Sequence, residues 1–348
     1  MKPLALVFYI VFTCFFSSGS YGQENNTFTN PLLPSGADPW CIYKDGHYYY
    51  TNTTGKNITI WKTNSIAELK NAEKKIVFTP PSSGPYSKEL WAPEIHFLDN
   101  KWYIYFAADS GKNRSHRLWV LENSSRDPMQ GQWIIKGKLN TAGDKWAIDG
   151  SLFTHKKKLY LVWSGWEGDV NGRQDIFISA MKNPWTVSGK RVTLSSPELP
   201  WEKNGRIDNP DDPPNVYVNE GPEVLSNKGK LFLIYSASGC WTDNYALGML
   251  TASATADIMD PQSWTKSPEP VFKQSPENSV FAPGHNSFFK SPDGKEDWIL
   301  YHANSAPGQG CGINRSPRAQ QFTWKEDGSP DFGIPVKAGE ILKVPSGN

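Results

Sequence analysis

The sequence has almost no charge imbalance. Its 36 Lys and Arg against 35 Asp and Glu leave a formal net charge of +1. No basic run is long enough to track a phosphate backbone, so a nucleic-acid partner is excluded. Long hydrophobic runs are missing beyond the N-terminus: Leu4 to Phe16 is apolar but too short to cross a bilayer as a helix, and no membrane span is expected. Helical periodicity is nearly absent, with Ile66 to Lys74 the best candidate for a turn or two. Cysteine is scarce, at four residues, and no Cys-x-x-Cys or paired-histidine spacing points to zinc. There is no Gly-x-Ser-x-Gly elbow, no Walker loop and no His-Glu-x-x-His, which removes serine-hydrolase, nucleotide and zinc-protease chemistry. The Ser-x-Asp-x-Gly-x-Thr-Trp boxes of sialidases are absent too. Gly308-Gln309-Gly310-Cys311-Gly312 is glycine-rich but follows no βα unit, so it reads as a loop.

What is present is aromatic and strand-like. Of 348 residues, 13% are aromatic, including 15 Trp; these suit strand cores and also the faces of sugar rings. Residues 1–22 read as a secretory signal, with Lys2 as the positive n-region and Ser20-Tyr21-Gly22 as small residues at the cleavage site. Export to an extracellular or periplasmic location follows. Residues 23–30 read as a polar, mobile tail, and 31–348 as one continuous domain without a linker.

That domain repeats a unit. Gly36-Ala37-Asp38-Pro39-Trp40 leads into a strand that turns at Asp45-Gly46 and returns as an aromatic strand, a strong hairpin signal. Similar hairpins follow from Trp91-Ala92-Pro93-Glu94, Ile148-Asp149-Gly150, Asn219-Glu220-Gly221-Pro222-Glu223 and Gly284-His285-Asn286. They recur every roughly 55–70 residues, a spacing expected of propeller blades. Weaker outer strands at 58–62, 117–122, 175–182 and 245–253, then Trp-bearing edges at Trp133, Trp185 and Trp264, complete about four strands per repeat. The fold expected is all-β, a five-bladed β-propeller. The first strand of each blade lines the axis, so Asp38, Glu94, Asp149, Glu220 and His285 should converge at one end of it. The irregular 204–215 segment, rich in Asp and Pro, leads into Glu220 and is placed to shape a cleft.

One acid beside Gly or Pro at a strand start is an ordinary turn-former. Three at equivalent places in separate repeats are harder to explain that way, because crowded carboxylates repel. Crowding of this kind shifts pKa values apart, as general acid and base work requires. Glycoside hydrolysis divides its roles so: one carboxylate deprotonates water, and one carboxylic acid protonates the leaving oxygen.

In order, Gly-Ala-Asp-Pro-Trp, Leu-Trp-Ala-Pro-Glu, Ala-Ile-Asp-Gly-Ser-Leu-Phe, Asn-Glu-Gly-Pro-Glu-Val and Gly-His-Asn-Ser-Phe resemble the motifs of glycoside hydrolase family 43. That is the five-bladed propeller family of arabinofuranosidases, xylosidases and arabinanases, and the resemblance covers nearly the whole mature chain. It implies inversion at the anomeric carbon, Asp38 as general base, Asp149 as pKa modulator and Glu220 as general acid. Glu223 is the rival acid, but strand alternation puts it on the opposite face from Glu220. Inverting geometry places the Asp38 and Glu220 carboxyl groups roughly 6.5–9.5 Å apart. The resemblance further implies a calcium or sodium ion near His285, which is otherwise a structural histidine, and no cofactor for the chemistry itself. Arg318 resembles the family's late, substrate-reaching arginine or is a surface cation. Trp91, Trp40, Trp166 and Glu94 are candidates to bind the sugar, with core packing the alternative for Trp40 above all.

Ser164-Gly165-Trp166-Glu167-Gly168 and the ending from Asp327 to Pro335 resemble the exo-1,5-arabinofuranosidase branch. The expected activity is release of terminal α-L-arabinofuranose from plant cell-wall polysaccharide or oligosaccharide by a monomeric enzyme. β-Xylosidase, endo-arabinanase and a non-catalytic carbohydrate-binding propeller stay open. After removal of the signal, Cys41, Cys240 and Cys311 remain. The odd count leaves at least one free or paired between chains; Cys240 and Cys311 lie in Gly-flanked loops of adjacent repeats and could bridge.

Overall fold

Three consecutive tyrosines show how the chain is assembled. In the strand His47–Thr51, Tyr48 and Tyr50 are buried on one side among Trp298 and Leu300, and Tyr49 on the other among Trp102 and Ile104. Side chains alternate across a strand. A strand apolar at successive positions is therefore covered on both faces. The pattern recurs in Lys230–Ala237, where Phe232 and Ile234 meet Ile299 and Tyr301 while Leu231, Leu233 and Tyr235 meet Val162, Ile176 and Ile178.

The coordinates are a computed structural model and describe Met1 and residues 26–141, 143–208 and 213–347. Apart from Met1, the expected signal segment lies outside the described residues, as do positions 209–212 of the Asp/Pro-rich loop. Antiparallel sheets follow one another along the chain. The first is Trp40–Lys44, His47–Thr51, Ile58–Thr63 and Glu73–Phe78, and the second Lys88–Leu98, Lys101–Asp109, Arg117–Asn123 and Ile134–Lys138. The third is Ala147–His155, Lys158–Trp166 and Arg173–Asn183, edged by the short strands Thr186–Val187 and Val192–Ser195. The fourth is Tyr217–Asn227, Lys230–Ala237, Ala246–Ser253 and Trp264–Lys266. The fifth is Phe281–Lys290, Asp297–Asn304, Ser316–Trp324 and Pro330–Asp331. A short parallel contact, Arg173 and Gln174 against Tyr217 and Val218, joins the third sheet to the fourth.

Five apolar clusters lie between the sheets, one for each neighbouring pair, including the fifth with the first. Five sheets with five interfaces close a ring, and the first strand of each blade faces its axis. The fold is the five-bladed propeller expected. The helical expectation for 66–74 holds only in part: Ile66–Asn71 is a 3-10 turn, and Glu73 already belongs to the outer strand of blade one.

Of the expected tail 23–30, residues 26–30 are described, and they are held in place. Thr27–Thr29 pairs antiparallel with Ile341–Lys343, and Phe28, Leu32 and Leu33 fill the cluster between blades five and one. Asn30, 2% exposed, clasps Ala319: its Nδ2 donates to the Ala319 carbonyl and its Oδ1 accepts from the Ala319 N–H, both at 2.9 Å. Replacing Asn30 with Ala leaves both Ala319 groups buried without these partners. A loss of about 1–3 kcal/mol is expected, seen as a lower urea midpoint at unchanged m-value.

Candidate active site

The inner strands share a local defect that positions the site. Pairing with the next strand slips between Trp91 and Glu94, between Ile148 and Ser151, between Glu220 and Glu223, and between Gly284 and Ser287. Each slip contains a residue at positive φ: Ala92 at 42°, Asp149 at 54°, Gly221 at 57° and His285 at 51°. Asp38, just before the first inner strand, sits at 56°. A bulge gives one strand an extra residue and re-aims its side chain. Asp tolerates the left-handed region better than most residues, and such strain, of order 1–3 kcal/mol each, collects where function requires it. A Cβ on Gly221 would lie 3.3 Å from the His285 ring, so glycine also lets these two strands approach.

Asp38, Asp149 and Glu220 all line one cavity of about 700 Å3, with Trp91, Trp146 and Trp241 among its walls. Asp38 is the most heavily bonded. Its Oδ1 lies 3.1 Å from Arg315 Nη1 and 3.3 Å from His285 Nδ1, and its Oδ2 accepts from the Thr53 hydroxyl at 2.6 Å. Its backbone N–H donates to His302 Nδ1 at 3.0 Å. Burial disfavours the Asp38 carboxylate, but Arg315 beside it, with the histidines and Thr53, more than offsets this and holds the group well below the usual range. His285 and His302 are themselves pushed down by burial, so Arg315 is the standing positive charge.

The other two acids go the opposite way. Burial raises Glu220 to about 7; the Tyr245 hydroxyl, donating to Oε1 at 2.8 Å, and Arg315 oppose the rise, and Asp38 adds to it. Asp149 is raised by burial, then by Glu220 and Asp38, while the Gly221 N–H, donating to its Oδ2 at 3.0 Å, pulls the other way. Asp149 thus holds the backbone next to Glu220, and the two acids keep protons to a higher pH than Asp38 does. From behind, the buried Glu202 takes bonds from Asn219, Tyr235 and Lys266, so the residue preceding Glu220 is anchored.

The remaining sequence candidates divide. Trp91 lines the cavity, stacked on His116 at 3.9 Å. Trp40 does not: its Nε1 donates to the Ile95 carbonyl and its ring packs on His96 within the core between blades one and two. Trp166 is also buried, lying flat against Trp146 at 4.7 Å, and Trp146 is the tryptophan of that pair that reaches the cavity. Glu94 is off the cavity wall, 3.0 Å from His96 Nε2. Burial, Glu223 and Asp149 raise Glu94, and burial lowers His96 to about 3, so they meet as neutral partners. Arg318 is neither substrate-reaching nor a surface cation: it is fully buried and donates to Ser305. Arg315, three residues earlier, takes the place at Asp38. His285 faces Asp38, and among the described residues no group of three His, Cys, Asp or Glu side chains is placed to hold a metal; no step is assigned to an ion. Sequence reasoning missed Arg315, Thr53, Tyr245 and Trp146. Only Arg315 carried a usable signal, as a second arginine three residues before Arg318.

Acids of opposite tendency at the hub of a propeller define a site of the glycosidase type. Residues 28–330 match the family model described as Glycosyl hydrolases family 43, and the chain belongs to that family. It is 41% identical over 322 residues to an extracellular exo-alpha-(1->5)-L-arabinofuranosidase of Streptomyces avermitilis, covering 90% of this chain and 64% of that protein. The chain therefore spans a little under two thirds of that relative. An enzyme of the same description from Streptomyces chartreusis is 38% identical over 281 residues, 79% of this chain and 82% of its own. The crystal structure of an alpha-L-arabinofuranosidase from Lactobacillus brevis, 38% identical, superposes with a TM-score of 0.82 over 90% of this chain and 98% of that one.

Tyr245 opposes the rise of Glu220, so its removal has a defined sign. In Tyr245→Phe the ionised form of Glu220 loses a donor, and its titration moves above about 7. Carbon-13 NMR of the labelled glutamate carboxyls reads the change; an unmoved or lowered midpoint contradicts it.

Proposed function

We propose that the protein is a secreted, inverting, exo-acting α-L-arabinofuranosidase that removes terminal arabinofuranose from arabinan or arabinoxylan chains of the plant cell wall. One observation carries the reading: a single cleft holds a carboxyl kept ionised, Asp38, and one kept protonated to about 7, Glu220. Asp38 takes a proton from water as it attacks the anomeric carbon. Glu220 gives its proton to the departing glycosidic oxygen, so the leaving group departs neutral. Asp149 accepts from the Gly221 amide and so fixes the backbone beside Glu220, while burial and the Asp38 charge keep the Glu220 proton in place. Trp91 and Trp146 offer ring faces to the sugar. The names of the relatives support arabinofuranose among the pentoses.

Hydrolysis of 4-nitrophenyl α-L-arabinofuranoside well above that of the β-D-xyloside is expected, and the reverse order makes the enzyme a xylosidase. The first-formed sugar, followed by proton NMR, is the β-anomer if the reaction inverts. Glu220→Gln should lower kcat/KM on unactivated arabino-oligosaccharides by on the order of 10²–10⁴; unchanged turnover removes Glu220 from the mechanism. The alkaline limb of kcat/KM should fall near pH 7, where free Glu220 loses its proton.

A further inference from the structure

The cavity wall contains a covalent link that the mechanism above does not use. Cys240 and Cys311, 71 residues apart in sequence, form a disulfide with Cα atoms 5.2 Å apart, and both line the cavity. Cys240 lies in the loop after Lys230–Ala237, five residues before Tyr245, the partner of Glu220. Cys311 lies in the loop after Asp297–Asn304, four residues before Arg315, the partner of Asp38. The bridge therefore joins the segment that delivers the donor to one catalytic acid to the segment that delivers the cation to the other.

The second loop is braced mostly from within: Asn304 Nδ2 donates to the Gly310 carbonyl at 2.9 Å and the Ser305 and Ala306 N–H groups to Gln309 Oε1 at 3.1 Å, while the Gly36 N–H fixes the Arg315 carbonyl at 2.9 Å but not its guanidinium. Gly308 and Gly310 sit at φ of 71° and 64°, and Gly312 follows. Glycine-rich backbone is costly to order. Ile313, two residues before Arg315 on the cavity wall, is 79% exposed and so adds little buried apolar contact. The Gly308 N–H donates to Asp243 at 2.9 Å, a second tie to the first loop, but this hydrogen bond is exposed. The first loop is itself tied onward, since Trp241 Nε1 donates to the Arg206 carbonyl at 2.8 Å.

We propose that the Cys240–Cys311 disulfide is a positioning element of the active site, holding Arg315 against Asp38 across the seam between blades four and five. The inference rests on reading Asp38 as the base and Glu220 as the acid. Cys240 and Cys311 touch neither water nor sugar in that scheme; they act through Arg315. With the bridge open, Arg315 samples positions away from Asp38, and the Asp38 carboxyl loses the charge that keeps it ionised in acid. The base then starts to fill with protons at a pH where the bridged enzyme is still active.

The test compares the wild type, the wild type after a phosphine reductant, and the double variant Cys240→Ser/Cys311→Ser. Reduction should expose two additional thiols in the denatured protein. With Arg315 displaced, burial raises the Asp38 carboxyl unopposed by that charge, so opening the bridge should lower the ratio of kcat/KM at pH 4 to that at pH 7 by on the order of tenfold, the loss reached when the Asp38 midpoint lies about one pH unit above 4. Carbon-13 NMR of labelled aspartate, with Asp38→Asn for assignment, should show the Asp38 carboxyl titrating at higher pH. A bridge that only staples the fold would lower the melting temperature and leave both the pH ratio and the Asp38 titration unmoved, and that result overturns the proposal. Reduced wild type serves if the double variant does not fold. If the bridged enzyme hydrolyses no aryl glycoside, the functional reading fails, while the Asp38 titration still decides the role of the bridge.

Discussion

Strands buried on both faces impose most of this architecture. A blade cannot satisfy Tyr48, Tyr49 and Tyr50 alone, because these side chains alternate between two opposite neighbours. Each sheet therefore needs a sheet on either side, and the arrangement ends only when the fifth meets the first. The apolar side chains are used up between blades. What remains at the hub is polar: the innermost strands bring acids, histidines, serines and an asparagine to the axis. The same requirement that closes the ring thus gathers ionisable groups in a poorly hydrated centre, where small differences in partner decide protonation.

Asp38 and Glu220 show how far such differences reach. Both are buried in the same cleft, and burial alone raises both. Asp38 is reversed by a guanidinium at 3.1 Å, whereas Glu220 has a neutral hydroxyl at 2.8 Å and carboxyl neighbours. The separation of acid from base is therefore made by second partners, and these come from loops between strands rather than from the inner strands that carry the acids.

That division explains what could be read from the sequence. Asp38, Asp149 and Glu220 were legible because each sits in a strand-start motif with Gly or Pro, where a positive-φ residue, before the strand at Asp38 and in the bulge at Asp149 and Gly221, turns the acid toward the axis. Trp40 and Trp166 were misjudged because which face of a strand a ring takes is set by its packing partners: Trp40 turns into the core between blades one and two, and Trp166, at the end of a second strand, backs Trp146 instead of facing the cleft. Glu94 follows the strand pattern yet points at His96, since it closes its slip, whereas Asp149 lies inside the slip of blade three and Glu220 opens that of blade four. Arg315 and Arg318 lie in one short segment, and only the path of the loop before the strand Ser316–Trp324 decides which meets Asp38. Tyr245 meets Glu220 across 25 residues of sequence, beyond any local pattern, whereas the Cys240–Cys311 link, 71 residues apart, was open from the sequence because both cysteines lie in Gly-flanked loops of adjacent repeats.

The pairing of Thr27–Thr29 with Ile341–Lys343 makes neighbours of the two extremities of the described chain. Where the polypeptide starts around the circle is then a matter of genetic order more than of mechanics. Joining the extremities by a short linker and cutting instead in a hairpin turn such as Asp45-Gly46 would preserve every contact between blades. A circularly permuted gene is accordingly a route to re-siting fusion partners around the perimeter of this molecule.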